Sequence, residues 1–449
     1  MALYVPLGAM SMLCLDDELG LGIALLVGHD FVELGIVVGG LEALVALFFR
    51  RIAAHVNPLV SAYAASAADI IRRVMNILAP HDRREFLRSA GKLAVGGFAS
   101  MAIAQQVPKP PAGRRPQRVA VIGVGHYHAT LAPFYLRILQ NEKVDIVGVH
   151  DPDRAVAEDR AKRCGSTAYT DYRAMIDKTK PDFVLSLNRH VDMPAPFRFL
   201  VDSGIPFLAE KPWGKDAKTV NELADYAEKK NAWATAPMSF RYSWWAESAR
   251  KMVKSGELGT ISHMLVRFNQ PGIQRYIDEG NSWMLNKAEA GGGALLNLGF
   301  HGFDLCRYIT GEDPKVVSAV TSHSIWKRDI EDYAFVTLRT PSGMVFLNEA
   351  SYTFPTTGSD SERKIAAAKA LVRATNNGDG VQIIGPGRDE TLMAPPGYVG
   401  SWAGVVKDCL DRIGRGEPPP SSVRDCARAV TLTFDAYRMA GEKPAGPQR

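Results

Sequence analysis

One stretch in the C-terminal half carries polar side chains at a spacing that suits proton transfer. Gly291-Gly-Gly293 precedes Asn297, His301 and Asp304 in an otherwise apolar run. Positions i, i+4 and i+7 share one face of an α-helix, so these three side chains would point the same way. Histidine titrates near neutral pH and can accept a proton from a substrate. Taken alone, the stretch favours a structural histidine beside a glycine loop.

A nucleotide-binding pattern opens the first predicted domain. The apolar run 118–122 leads into Gly123-Val-Gly125 and directly into a helical pattern. Gly123 permits a tight turn, and Gly125 lets the backbone approach a pyrophosphate at a helix N-terminus. His128 stands at the third position, which normally needs a small residue for close packing of helix on strand. A second apolar run ends at Asp151, where a carboxylate would bind the ribose diol of NAD and repel the 2′-phosphate of NADP.

Polar residues also follow two further predicted strands. Asn188 and His190 come after one strand, and Glu210 and Lys211 come after the next. Ligands bind at the carboxyl ends of the strands in a doubly wound sheet, so these residues would meet the glycine turn. Lys211 could stabilise negative charge on an oxygen while His301 takes the hydroxyl proton and a nicotinamide takes the hydride. Glu210 is better suited to anchoring Lys211 or the cofactor.

The alternation of apolar and polar segments predicts an α/β protein. Over residues 117–237, strands alternate with helices across short connections, which is typical of a doubly wound parallel sheet. Over 238–449, a helix at 244–255 precedes strand-like runs that predict a mostly antiparallel open sheet, and an amphipathic helix covers about 423–440. The predicted strands are 118–122, 144–150, 183–187, 206–209, 233–237, 261–269, 315–324, 332–340 and 344–352. We expect a NAD-binding domain followed by a substrate and oligomerisation domain.

Composition narrows the function further. The chain has 449 residues and a net charge of +5, and its basic residues are scattered, which argues against nucleic-acid binding. Its five cysteines are odd in number and form no CxxC pair, so neither a disulfide framework nor a metal site is expected.

The N-terminal region predicts export. Residues 1–74 are interpreted as upstream sequence that is not part of the working protein. The alternative is that the apolar run 35–49 is a weak transmembrane helix that anchors the protein. Residues 75–104 contain Arg83-Arg84, a mildly apolar stretch and a small-residue end, which is typical of a twin-arginine signal peptide. We therefore expect a periplasmic protein that uses the twin-arginine export machinery, with a Pro-rich linker over 105–116.

The motifs together resemble those of the glucose–fructose oxidoreductase / inositol dehydrogenase / rhizopine catabolism (Gfo/Idh/MocA) family. The resemblance rests on the Gly-x-Gly turn with Asp151, on Ala209-Glu-Lys-Pro212, and on the run from Gly291 to Asp304, and it covers about residues 117–440. It implies a Rossmann domain, an α/β domain with an open antiparallel sheet, and nicotinamide between Lys211 and the helix of His301. In the family a Lys, an Asp and a His form the catalytic group. The Asp position holds Asn297 here, and an amide cannot take a proton.

The resemblance and the pattern together give a set of expected site residues. The expected catalytic residues are Lys211, His301 and Asn297. The expected cofactor contacts are Gly123, Gly125, His126, Tyr127, Asp151, Asn188, His190, Glu210 and Lys211. The expected substrate contacts are Arg241, Tyr276, Trp283, Asn297 and His301, with Gln274 and Arg275 as further candidates. The cofactor is expected to be NAD rather than NADP.

Three functions fit these residues. The leading one is an exported oxidoreductase that moves hydride between a secondary hydroxyl of a sugar, cyclitol or related polyol and a tightly bound nicotinamide. The second is a NAD-dependent glycoside hydrolase that oxidises a ring hydroxyl transiently, eliminates the aglycone and reduces the product. The third is a non-catalytic sugar-binding relative, which Asn297 keeps open. The resemblance also implies pairing through the open sheet as a homodimer or homotetramer.

Overall fold

The computed structural model divides the chain into two compact units, Met1–Gln105 and Gln106–Arg449. It describes residues 114–130 and 134–443, together with the backbone of four strands near the N-terminus. These strands form two antiparallel hairpins, β1 (Ala2–Leu7) with β2 (Met10–Leu15) and β3 (Leu25–Gly28) with β4 (Phe31–Leu34). The predicted signal peptide and the apolar run 35–49 lie outside the described residues. None of the described helices has the length and apolar character needed to span a membrane.

The first half of the second unit is built on a parallel sheet of six strands. Its order is β10-β9-β8-β5-β6-β7, and every neighbouring pair is parallel. The strands are β5 (Arg118–Ile122), β6 (Asp145–His150), β7 (Ala168–Tyr169), β8 (Phe183–Ser186), β9 (Phe207–Ala209) and β10 (Ala234–Thr235). The central strands β5 and β8 are almost entirely buried because helices cover both faces of the sheet. The predicted doubly wound domain is confirmed.

Helices connect these strands as the alternation predicted. They are α1 (Tyr135–Asn141), α2 (Arg154–Cys164), α3 (Tyr172–Thr179), α4 (Pro194–Ser203) and α5 (Ala217–Lys229). The helix predicted directly after Gly125 begins only at Tyr135, after a 3₁₀ turn over Tyr127–Ala129. The reason is that the side chain of His128 is buried against Glu210 instead of lying on a helix surface.

The second half is built on a mixed sheet of eight strands, in the order β12-β13-β14-β11-β15-β16-β17-β18. The strands are β11 (Ile261–Pro271), β12 (Lys315–Ser322), β13 (Tyr333–Arg339), β14 (Val345–Phe354), β15 (Asp360–Ala367), β16 (Leu371–Thr375), β17 (Gly380–Gly385) and β18 (Arg388–Met393). Only the pair of β11 and β14 is parallel, so the prediction of a mostly antiparallel sheet is confirmed. The strands β15 to β18 were not predicted.

The remaining helices cover one face of this sheet and return to the first domain. They are α6 (Trp244–Ser255), α7 (Gln274–Asp278), α8 (Lys287–Ala290), α9 (Phe300–Thr310), α10 (Ser401–Arg415) and α11 (Val423–Met439). A π-helical turn over Leu295–Gly299 leads directly into α9. Apolar side chains of α10 pack on α1, and those of α11 pack near α5, so the two domains share continuous cores. This packing fixes the facing edges of the domains, where the candidate site lies.

Candidate active site

Neither glycine of the Gly-x-Gly turn has space for a side chain, because the backbone packs directly against Asn188 and Asp151. Gly123 has φ +78°, and a Cβ there would come within 2.9 Å of the backbone nitrogen of Asn188. A Cβ on Gly125 would come within 2.8 Å of Oδ2 of Asp151. That carboxylate accepts the Gly125 N–H at 2.7 Å, at the end of β6. A glycine-only turn beside a carboxylate at a strand end fits the pyrophosphate and ribose diol of NAD.

The residue at the third glycine position binds the Glu-Lys-Pro motif. Nδ1 of His128 lies 3.0 Å from Oε2 of Glu210, and the hydroxyl of Tyr135 donates to the same oxygen at 3.1 Å. Burial alone would raise the pKa of Glu210, but His128 and Lys211 outweigh it and bring that pKa to about 2. Burial lowers the pKa of His128. We conclude that a neutral imidazole and a carboxylate join the glycine turn to the strand end that carries Lys211.

The lysine of this motif reaches across to the second domain. Nζ of Lys211 donates to the main-chain oxygen of Asn297 at 2.9 Å and to its side-chain Oδ1 at 2.5 Å. Asn297 lies in the π-helical turn, a feature that recurs at functional sites. An ammonium has three N–H donors, and the described residues accept two of them. Burial lowers the pKa of Lys211 to about 8, with partial compensation by Glu210.

His301 lies one helical turn beyond Asn297 and is buried, with 4% of its surface exposed. Its ring packs edge-on against Phe240 at 4.9 Å between centroids. Burial, followed by the charge of Lys211, holds its pKa well below the usual value, so the imidazole is neutral at neutral pH. A neutral imidazole near an ammonium can accept a proton from a substrate hydroxyl.

The side chain of Asn297 has a fixed orientation. Its Oδ1 faces the ammonium of Lys211, while its Nδ2 donates to the hydroxyl of Tyr276 at 2.9 Å. Nη2 of Arg275 donates to the same hydroxyl at 3.0 Å. Asn297 therefore acts as a bridge between the lysine and a tyrosine of α7.

Other predicted site residues gather around this bridge in an aromatic cluster. The indole of Trp283 lies 5.0 Å from the ring of His190 and 5.7 Å from that of His126. Tyr127 meets Tyr276 edge-on at 5.5 Å. Nδ1 of His190 pairs with the carbonyl oxygen of Ala290 at 2.7 Å, which connects the 3₁₀ turn before α4 to the start of the glycine loop. The side chain of Asn188 donates to Ser186 at 2.9 Å beside the glycine turn.

Arg241 was predicted to contact the substrate, but its guanidinium is paired with carboxylates of the protein. Its Nε donates to both carboxylate oxygens of Asp304, at 3.1 and 2.9 Å, and Asp425 lies 3.3 Å from Nη2. The sequence spacing predicted that Asp304 shares one helix face with Asn297 and His301. In the structure, its carboxylate instead belongs to a buried ion network with Arg241. The π-helical turn changes the helical phase ahead of α9. Among the described residues, Arg241 connects the domain joint to α9 and α11.

Three contacts were missed by reading the sequence. Phe240 packs on His301, the pair of His128 and Glu210 joins the glycine turn to the end of β9, and Glu331 holds the glycine loop. Glu331 accepts N–H groups from Gly293 and Leu295 at 2.8 Å each. The departure at the third glycine position was a usable signal for His128, whereas no local signal marks Glu331.

Comparison with known proteins agrees with this geometry. Residues 117–236 match the family model described as "Oxidoreductase family, NAD-binding Rossmann fold", and residues 246–369 match "GFO/IDH/MocA C-terminal domain". The chain is 22% identical over 338 residues to myo-inositol 2-dehydrogenase of Thermotoga maritima, which covers 73% of this chain and 97% of that protein.

Two further similarities extend the comparison. D-glucoside 3-dehydrogenase of Escherichia coli is 27% identical over 218 residues, which cover 47% of this chain and only 58% of that protein. An inositol dehydrogenase homologue from Azotobacter vinelandii, solved with NADH and myo-inositol, superposes with a TM-score of 0.63 at 16% identity, over 76% of this chain and 98% of that one. With both domain models matched in order, the chain belongs to the GFO/IDH/MocA family of NAD-binding oxidoreductases.

Proposed function

We propose that this protein is a NAD-dependent dehydrogenase that oxidises a secondary hydroxyl of a sugar, cyclitol or related polyol. The observation that carries the proposal is the arrangement of Lys211. Two of its N–H donors are held by Asn297, which directs the third away from that residue, and a neutral His301 lies nearby. Relatives named as sugar and inositol dehydrogenases support the substrate class.

The residues of this chain divide the work of such a reaction. The remaining N–H of Lys211 donates to the reacting hydroxyl oxygen and stabilises the negative charge that develops there. The neutral imidazole of His301 takes the hydroxyl proton. A bound NAD would supply the acceptor for the hydride that leaves the carbinol carbon. Gly123, Gly125 and Asp151 would hold the cofactor at the edge of the parallel sheet.

Asn297 has a positioning role in this scheme. Its two oxygens orient the ammonium of Lys211 without neutralising it, because neither carries a charge. A neutral partner leaves the pKa of Lys211 at about 8 rather than raising it. The proton-accepting role therefore falls to His301 alone.

The test combines cofactor content with turnover. Purified protein would be denatured and its supernatant assayed for NAD and NADH, and NAD would then be added with a panel of sugars and cyclitols while absorbance of NADH is followed. We expect NADH to form with at least one hydroxylated substrate, and Lys211→Met to abolish this while cofactor binding persists. Release of aglycone from an aryl glycoside without net NADH would favour the glycoside hydrolase instead. Sugar binding without NAD binding would refute catalysis.

We also propose that the protein is exported by the twin-arginine route and pairs through its open sheet. Export rests on Arg83-Arg84 and the mildly apolar segment after them. N-terminal sequencing of protein from the periplasmic fraction would test export, since a start near residue 105 is expected.

Pairing of two copies rests on the strands of the eight-stranded sheet, where half-exposed residues alternate with buried ones. Sedimentation analysis would give a monomer if this is wrong.

A further inference from the structure

Arg275 is a cation for which no acidic partner exists among the described residues. It lies on α7, and its Cζ is 4.8 Å from the ring centroid of Tyr276 and 5.9 Å from that of Tyr352. Its Nη2 donates to the hydroxyl of Tyr276, while its Nε is buried without a partner. By contrast, the buried guanidinium of Arg241 is paired with Asp304.

A second buried arginine shows why Arg275 is the better candidate for ligand binding. Arg363 on β15 also lacks partners for Nε and Nη1. However, burial lowers its pKa to about 10, and Asp379 lies close enough to offset part of its charge. Arg275 instead lies beside the tyrosines Tyr276, Tyr127 and Tyr352, and none of the described carboxylates is within salt-bridge distance of it.

The position of Arg275 connects it to the reacting groups. The hydroxyl of Tyr276 accepts from both Arg275 and Asn297, and Asn297 in turn holds Lys211. The positive charge of Arg275 also acts on Tyr127 and His128, on the opposite side of the site, where it contributes a lowering of their pKa values. A ligand that reaches the free N–H of Lys211 therefore lies within the influence of this guanidinium.

We propose that the substrate carries a carboxylate, which Arg275 binds, so that the substrate is a sugar acid such as a uronic or aldonic acid. This inference rests on the proposed dehydrogenase function and names the substrate class for it. A guanidinium presents parallel N–H donors that match a carboxylate, and it stacks on aromatic rings as Arg275 does here. The tyrosine rings exclude water and strengthen such an ion pair.

A carboxylate fits this site better than a phosphate ester. A phosphate monoester carries more than one negative charge at neutral pH and normally recruits several cations. Among the described residues, the only other cation placed in the site is Lys211, and Asn297 already accepts two of its N–H donors. One guanidinium matches the single charge of a carboxylate. A sugar phosphate thus serves as the comparison that tests this choice.

The experiment measures binding to the full-length protein by calorimetry with NADH present. The ligands are D-glucuronate, D-galacturonate and D-gluconate, with D-glucose, myo-inositol and D-glucose 6-phosphate as comparisons. We expect at least one acid to bind more tightly than the neutral sugars, and Arg275→Gln to weaken that acid by about 10- to 100-fold. Arg275→Lys should restore part of the affinity, because it keeps the positive charge but lacks the parallel N–H donors of the guanidinium. NADH binding should not change in either variant.

A matched control comes from Arg198, whose guanidinium lies 5.1 Å from the ring of Tyr226 on the surface of the first domain. Arg198→Gln removes the same kind of stacked cation and should leave sugar-acid binding unchanged. Equal binding of acids and neutral sugars would overturn the inference while leaving the dehydrogenase proposal intact. Preference for D-glucose 6-phosphate, or loss of NADH binding in Arg275→Gln, would also overturn it. Failure of every sugar to bind would refute the proposed function and the inference together.

Discussion

Replacing Asn297 by aspartate gives the sharpest test of how the lysine is held. The substitution places a carboxylate where Oδ1 of Asn297 now lies 2.5 Å from Nζ of Lys211. In the native protein, burial lowers the pKa of this ammonium to about 8, and Glu210 offsets only part of that effect. A second negative charge would favour the protonated lysine.

The expected size of the effect follows from the contact. An opposite charge within hydrogen-bonding distance moves a pKa by about 1 to 3 units. The pKa of Lys211 should therefore rise from about 8 to roughly 9–11, which corresponds to about 1.4–4 kcal/mol in favour of the ammonium. Because the ammonium is the donor that stabilises the reacting oxygen, activity that falls above pH 8 in the native enzyme should persist to higher pH in Asn297→Asp.

The assay is the dependence of kcat/KM on pH for the best substrate of the panel. Asn348→Asp is a matched control, since Asn348 is also buried and donates to the carbonyl of Gly299 at 2.8 Å, but no ammonium is bonded to it. The control should lose stability without moving the alkaline limb of the profile. An unchanged alkaline limb in Asn297→Asp would show that Lys211 does not titrate as this structure requires.

Three further predictions follow from the same geometry. Gly123→Ala should abolish NADH binding, measured by fluorescence, because φ at this position is +78° and a Cβ would meet Asn188. The control is Gly165→Ala, where φ is +68° and no atom lies near the added Cβ; it should lower the free energy of unfolding by only about 1 kcal/mol and keep NADH binding. Asp151→Ser should shift the preference toward NADP, measured as the ratio of the two Kd values, by removing the charge that repels a 2′-phosphate. The free energy of unfolding, measured in urea, should fall by up to about 5 kcal/mol between pH 6.5 and 5.5, about 1 kcal/mol for each of five buried histidines that are neutral when folded and take up protons when unfolded. Those histidines are His126, His128, His150, His190 and His301. A flat stability profile over this range would contradict that assignment.

Local patterns predicted most of the secondary structure. The helix predicted at 244–255 agrees with α6, and the helix predicted at about 423–440 corresponds to α11. Both helices follow from apolar periodicity and from caps such as Ser243 and Ser422, which are local features. The strands β15 to β18 were missed because their residues are largely half-exposed and show little apolar alternation.

The sequence by itself determined the two-domain α/β architecture, the Gly-x-Gly turn with Asp151, and the candidate pair of Lys211 and His301. These signals depend on residue type and spacing within one element, which chain geometry translates directly into position. Only the tertiary structure decided which partner each buried polar group has. Lys211 and Asn297 are 86 residues apart, and His128 and Glu210 are 82 apart, so no local pattern could pair them. Burial favours a partner for each of these groups, and among the described residues near Lys211 it leaves Arg275 as a cation without an acidic partner.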